Sequence, residues 1–112
     1  MVPVVGNIAT GGKLANKSFS SYRKFQKVYG KAGDGMEWHH IVEQRQSRIF
    51  PPEMIHNPDN MIKLPVGIHR KISGHYSSKY MNTNMTVRQW LDGKNFEFQY
   101  NYGKNVLKLY GY

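Results

Sequence analysis

Residues Ser18 to Tyr29 carry Phe19, Tyr22, Phe25 and Tyr29 at intervals of three and four, with Arg23, Lys24 and Lys27 between them. That spacing predicts a helix with one aromatic face, which Ser18 or Ser20 can cap. Gly30, Gly33 and Gly35 then end the helix and make a turn. Trp38 to Val42 is short, apolar and β-prone, and reads as a strand. Gln44 to Asp59 holds Pro51, Pro52 and Pro58 and reads as loop, with a short helical turn starting at Pro52. Asn60 to Leu64 reads as a second strand. Pro65 starts a helix that carries Ile68, His69 and Ile72 and is expected to end at Gly74. Thr86 caps another through Val87, Trp90 and Leu91, stopped by Gly93. At the C-terminal end Phe96, Phe98, Tyr100 and Tyr102 alternate like a strand. Phe96, Tyr100, Gly103, Leu107 and Tyr110 also recur like a helix, and the longer run favours helix.

One hundred and twelve residues make one domain, and a 39% hydrophobic, 13% aromatic composition supplies a single core. Sixteen Lys and Arg against seven Asp and Glu give a formal charge of +9, which favours a polyanionic partner, nucleic acid or an anionic membrane. The absence of cysteine excludes disulfides, Cys-based zinc fingers, thiol nucleophiles and iron–sulfur sites. No stretch approaches the ~20 apolar residues of a membrane span. Val2 to Ala9 lacks the basic flank and sustained apolar run of a signal peptide. Residues 1–17, with Gly6, Gly11 and Gly12, read as a lead-in or the remnant of a longer parent chain, and 18–112 as the domain.

All five histidines, His39, His40, His56, His69 and His75, fall in one third of the chain. Histidine is the usual proton acceptor at neutral pH and the commonest metal ligand. A strand ending in His-His, a second strand from Asn60 and a helix bearing His69 form a strand–strand–helix unit. Such a unit can bring one histidine of the pair against the helix histidine to hold a metal, leaving the neighbour free as a base. His56, in a Pro-bounded loop, reads as structural. Glu43 is either a partner that positions a histidine or a solvated loop carboxylate. Trp38, Trp90 and the C-terminal aromatics read as core.

Trp38-His39-His40-Ile41-Val42-Glu43-Gln44, then Ile55-His56-Asn57-Pro58-Asp59-Asn60, then Leu64 through His69 to His75 resembles an HNH nuclease of the His-Me finger superfamily. More narrowly it is similar to the toxin domains at the C-termini of bacterial polymorphic toxins. The likeness covers about Phe19 to Leu107, and Tyr76-Ser77-Ser78-Lys79 and Val87-Arg88-Gln89-Trp90-Leu91 share in it. His69 follows Asn60 by nine residues, an interval similar to that of colicin-type HNH nucleases. The resemblance implies an α+β fold built on a ββα-metal core with flanking helices. It implies His40 as general base, His39 and His69 as metal ligands, and Asn60 as the residue that steadies the loop or orients His40. Colicin-type domains carry a third histidine four residues after the helix ligand, and here that position is Ser73. His75 comes six residues on, about 240° around an ideal helix and off the ligand face. A helix broken at Gly74 would let it swing back as a ligand or phosphate contact.

The implied activity is a metal-dependent, largely sequence-non-specific DNase with one divalent ion. Histidine ligation suits Zn²⁺ or Ni²⁺ by affinity, whereas Mg²⁺ prefers oxygen, so the metal stays open among the three. Arg70, Lys71, Lys79 and Arg88 are candidate contacts to phosphates flanking the cut. DNA is the expected substrate, with RNA possible. The resemblance further implies delivery by a producing bacterium into a target cell's cytoplasm and a cognate acidic immunity protein. A metal-independent ribonuclease using two histidines as base and acid is the alternative. A non-catalytic binding module with a structural metal ranks last, because structural zinc sites are mostly closed by four ligands including Cys.

Overall fold

A computed structural model describes residues 18–112, and the lead-in expected over residues 1–17 lies outside the described residues. Helix α1 (Tyr22–Tyr29) starts one residue after Ser21, whose hydroxyl accepts from the Lys24 amide. Ser21 is thus the cap, and neither Ser18 nor Ser20. Phe25 is buried on the inner face and packs edge-on against Trp38 at 4.9 Å. Gly30, at φ 79°, closes the helix by donating its amide to Gln26 O, a backbone geometry that favours glycine.

Strand β1 (Met36–His40) pairs antiparallel with β2 (Met61–Pro65), setting His39 opposite Ile62 and His40 opposite Met61. These two strands are the whole sheet among the described residues. The fold is therefore α+β, as expected, but β1 sits two residues earlier than the apolar run suggests. Ile41 and Val42 are buried because they plug the core, not because they continue the strand. The Ile41 amide goes to Asn60 O and the Val42 amide to Asn60 Oδ1. Between the strands lie a 3₁₀ turn (Gln44–Arg48), the one-turn helix α2 (Pro52–Ile55) and a second 3₁₀ turn (Pro58–Asn60). The helical turn at Pro52 follows the sequence reading, with proline at a first-turn position where no amide is needed.

Helix α3 (Val66–Ser77) follows β2 directly and runs three residues past its expected end. A glycine inside a helix costs roughly 1 kcal/mol. Burial of Ile72 and Tyr76 on either side of Gly74 offsets that cost and carries the helix through it. Helix α4 (Val87–Leu91) starts on a reciprocal cap between Thr86 and Gln89. Helix α5 (Phe96–Leu109) resolves the C-terminal ambiguity in favour of helix. Its buried residues Phe96, Gln99, Tyr100, Gly103, Val106 and Leu107 recur at steps of one, three and four, the signature of one packed helical face. Ile41, Val42, Ile55, Leu64, Ile72, Tyr76, Val87 and Leu91 form one core with Phe96, Tyr100, Val106 and Leu107 of α5.

Helix α5 bears on the residues that flank the two strands. Tyr100 donates its hydroxyl to Asp59 O, and a Cβ added at Gly103 would lie 2.6 Å from Ile41 O and 2.8 Å from Ile41 Cγ2. No side chain fits there while Ile41 keeps its bond to Asn60. Gly103→Ala is expected to destabilise the fold by about 1–3 kcal/mol, because overpacking against backbone outweighs the gain in helix propensity. Urea denaturation measures it, and an unchanged or raised midpoint contradicts the close approach.

Candidate active site

Strand alternation sends His39 and His40 to opposite faces. His39 faces α3, its ring centroid 5.1 Å from that of His69. His40 faces α1, with its centroid 5.1 Å from the Tyr22 ring. A pocket of about 250 Å³ nevertheless gathers His39, His40 and His69, with Glu43, Ser73 and Tyr76 on its walls. The sequence-predicted trio thus meets in one place, at the end of β1 and the first turns of α3.

Asn60 supplies the local architecture. Its side chain is fully buried, and its amide donates to Val42 O (3.0 Å) and Ile55 O (2.9 Å) while Oδ1 accepts from Val42 N (2.8 Å). Every bond of Asn60 goes to backbone, so of its two expected roles it takes the one that steadies the loop. It fixes the chain leaving His40 and makes no hydrogen bond with the His40 ring. Asn, with two donors and an acceptor on one planar head, is the side chain type that can close such a loop.

His40 is instead oriented by His56, which the sequence favours as a structural residue. His40 Nε2 and His56 Nδ1 share a hydrogen bond of 3.1 Å, and Tyr22 packs against both rings. With His40 donating, its Nδ1 keeps a lone pair and makes no hydrogen bond with a described residue. Burial, with His56, His39 and His69 nearby, pulls His40 down to about 3. Burial and then His69 pull His39 down to about 4, and burial also lowers His56. All three rings are neutral at pH 7, the form required of a base and of a metal ligand.

His69 hydrogen-bonds through Nδ1 to Glu37 Oε1 at 2.7 Å, which leaves Nε2 as its outward nitrogen. Glu37 is a second residue that the sequence reading passed over. It lies two positions before His39, on the same strand face, so strand periodicity carries the signal. His39 Nε2 is buried without a hydrogen-bond partner. An orphaned imidazole nitrogen beside a carboxylate-oriented histidine fits a metal ion, since such a carboxylate fixes the ligand's tautomer and raises its basicity. The fit is to two donors: among the described residues no three His, Asp or Glu side chains gather as a metal cluster.

The remaining candidates lie elsewhere. His75 does not swing back, because α3 does not break at Gly74. Its Nε2 shares a 2.7 Å hydrogen bond with the Tyr102 hydroxyl, and it is absent from the pocket wall. Arg88 does not stand free for a phosphate. Its Nε and Nη2 hold Glu43, the closest approach being 2.6 Å, and Nη1 donates to Ser77 Oγ. Glu43 therefore lines the pocket as a neutralised carboxylate. Arg70, Lys71 and Lys79 are exposed, with no ion pair to a described residue. Trp38 is half-buried and lines the pocket, not the core.

The depressed histidines make stability fall with acidity in the metal-free protein. The unfolded chain takes up protons below pH ~6.5, whereas folded His39 and His40 resist them until about 4 and 3. Their neutral burial is fully tolerated above pH ~6.5, and stability drops from there towards pH ~4, by roughly 3 kcal/mol for His39 alone. Urea midpoints measured at both ends of that window check the slope, and equal values would contradict it.

No family model, curated protein or solved structure matches the chain.

Proposed function

We propose that the chain is a metal-dependent endonuclease of the HNH, His-Me finger kind, with β1, β2 and α3 as its ββα-metal core. The observation that carries this reading is the single pocket joining His39, His40 and His69, with a ring nitrogen of His39 buried and unpartnered. His39 and His69 would hold one divalent ion, Mg²⁺, Zn²⁺ or Ni²⁺. When bound, it supplies positive charge to the phosphate and to the departing 3′-oxygen. His40 accepts the proton of the attacking water at Nδ1. As positive charge grows on that ring, His56 Nδ1 accepts the hydrogen bond from Nε2–H and stabilises it. Asn60 keeps the end of β1 in place throughout, and Glu37 holds the His69 tautomer that turns Nε2 outward.

The formal charge of +9 and the exposed Arg70, Lys71 and Lys79 suit a nucleic-acid backbone bound without sequence choice. An effector toxin, delivered into a target cell and countered by an acidic immunity protein, is the biological setting consistent with this chemistry. No helix among the described residues is long and apolar enough to cross a membrane. For the metal-independent ribonuclease, the His40–His56 pair does not supply the base and acid. These must flank a phosphate, and His40 and His56 are bonded directly to one another.

Plasmid nicking with Mg²⁺, Zn²⁺, Ni²⁺ and EDTA tests the reading. Cutting is expected only with metal and is expected to fall at least 10²-fold in His40→Ala. Intact plasmid under every metal would overturn it. Calorimetry separates the roles. His40→Ala is expected to keep metal affinity, while His39→Ala and His69→Ala lose it. Glu37→Ala is expected to weaken metal binding by about 10–100-fold. Unchanged affinity in both ligand variants would refute the metal assignment.

A further inference from the structure

Beyond the histidines the pocket does not end. A larger pocket of about 400 Å³ adjoins it, and the two share Tyr22, Trp38 and His69 as walls. Glu37 and Trp38, neighbours on opposite faces of β1, both line it. Side chains of alternate faces meet in one pocket where it opens over a strand's free edge, and among the described residues β1 is paired on one side only. The volume lies in the range of small-ligand sites.

The wall chemistry is specific. Tyr22 and Trp38 offer ring surface, and the Trp38 indole N–H is already donated to Gly30 O. Gln26 gives one amide hydrogen to the Tyr22 hydroxyl, leaving a second N–H and its carbonyl oxygen. Glu37 spends Oε1 on His69, while Oε2 has no hydrogen bond with a described residue. Lys31 lines the mouth without an ion pair to a described residue. Aromatic faces suit a planar ring, and a carboxylate oxygen beside an amide suits an edge that presents an amino group. The same carboxylate disfavours a phosphate there and leaves the phosphate to the histidine side.

We propose that this pocket is a nucleobase subsite, which takes one unpaired base bearing an exocyclic amino group beside the scissile phosphate. It rests on the nuclease reading and names the substrate: single-stranded or splayed nucleic acid in preference to duplex. A base whose edge meets Gln26 and Glu37 cannot also be paired, and a duplex keeps that edge inside its stack.

The test combines binding and cleavage on the whole chain. CMP and UMP are titrated into the metal-free protein while the indole N–H signals are followed by NMR, with Trp90→Phe assigning the Trp38 signal. CMP is expected to shift the Trp38 signal and to bind at least about fivefold more tightly than UMP. In the presence of metal, a cytosine-bearing single strand is expected to be cut at least about tenfold faster in kcat/KM than its duplex. Gln26→Leu is expected to weaken CMP binding at least about fivefold and to lower the kcat/KM of the cytosine-bearing single strand with it, while the urea midpoint of the parent is kept. No Trp38 shift with either nucleotide, or equal cutting of single strand and duplex, overturns the subsite and leaves the nuclease standing. CMP binding with no cutting under any metal overturns the nuclease and leaves a nucleotide site.

Discussion

The arrangement of the histidines depends on one buried amide. Asn60 takes the backbone of Val42 on both its N–H and C=O sides and reaches Ile55 O as well. Three segments are thereby held at one point: the exit of β1, the end of α2 and the entrance of β2. Its hydrogen bonds replace the ladder that β1 and β2 abandon after His40. Removing the amide would leave buried backbone groups unpaired, each costing about 1–3 kcal/mol. It would also free the peptide that sets the direction of His40.

Around that anchor the electrostatics are kept quiet. A chain with nine surplus positive charges has a pocket in which His39 and His40 are held neutral by burial and by neighbouring imidazoles, and burial also lowers His56 beside them. The one carboxylate deep in the wall, Glu43, is matched by Arg88. Glu37, more open, is turned to His69. The strong positive field is left to exposed side chains such as Arg70 and Lys71. An anion can then be drawn in from a distance by the surface and meet uncharged nitrogen donors at the bottom.

Much of this was legible from residue order, because it rested on local signals. The helix of Tyr22–Tyr29, the proline-started α2, the Thr86 cap and the helical run from Phe96 all obey spacing and capping rules. The gathering of His39, His40 and His69 followed from the strand–strand–helix order. What was not legible depended on contacts across long sequence separations. The strand boundary moved because Asn60, eighteen residues on, took the place of a partner strand for Val42. His56 looked idle in a proline-rich loop until the fold laid it against His40. Arg88 looked free until α4 brought it to Glu43, forty-five residues away. Gly74 looked like a stop because its neighbours' burial is invisible to propensity.

The contact between Gly103 and Ile41 O has a consequence in time. Proteins are made from the N-terminus, and β1, β2 and α3 leave the ribosome well before the fourteen residues of α5. Until α5 arrives, the peptide after His40 lacks the surface it rests on, and Tyr100 cannot yet reach Asp59 O. The histidines are therefore all translated before the pocket that needs them can close. A nascent or C-terminally clipped chain carries all five histidines without the support of this helix, and α5 acts as the catch that completes the fold around them.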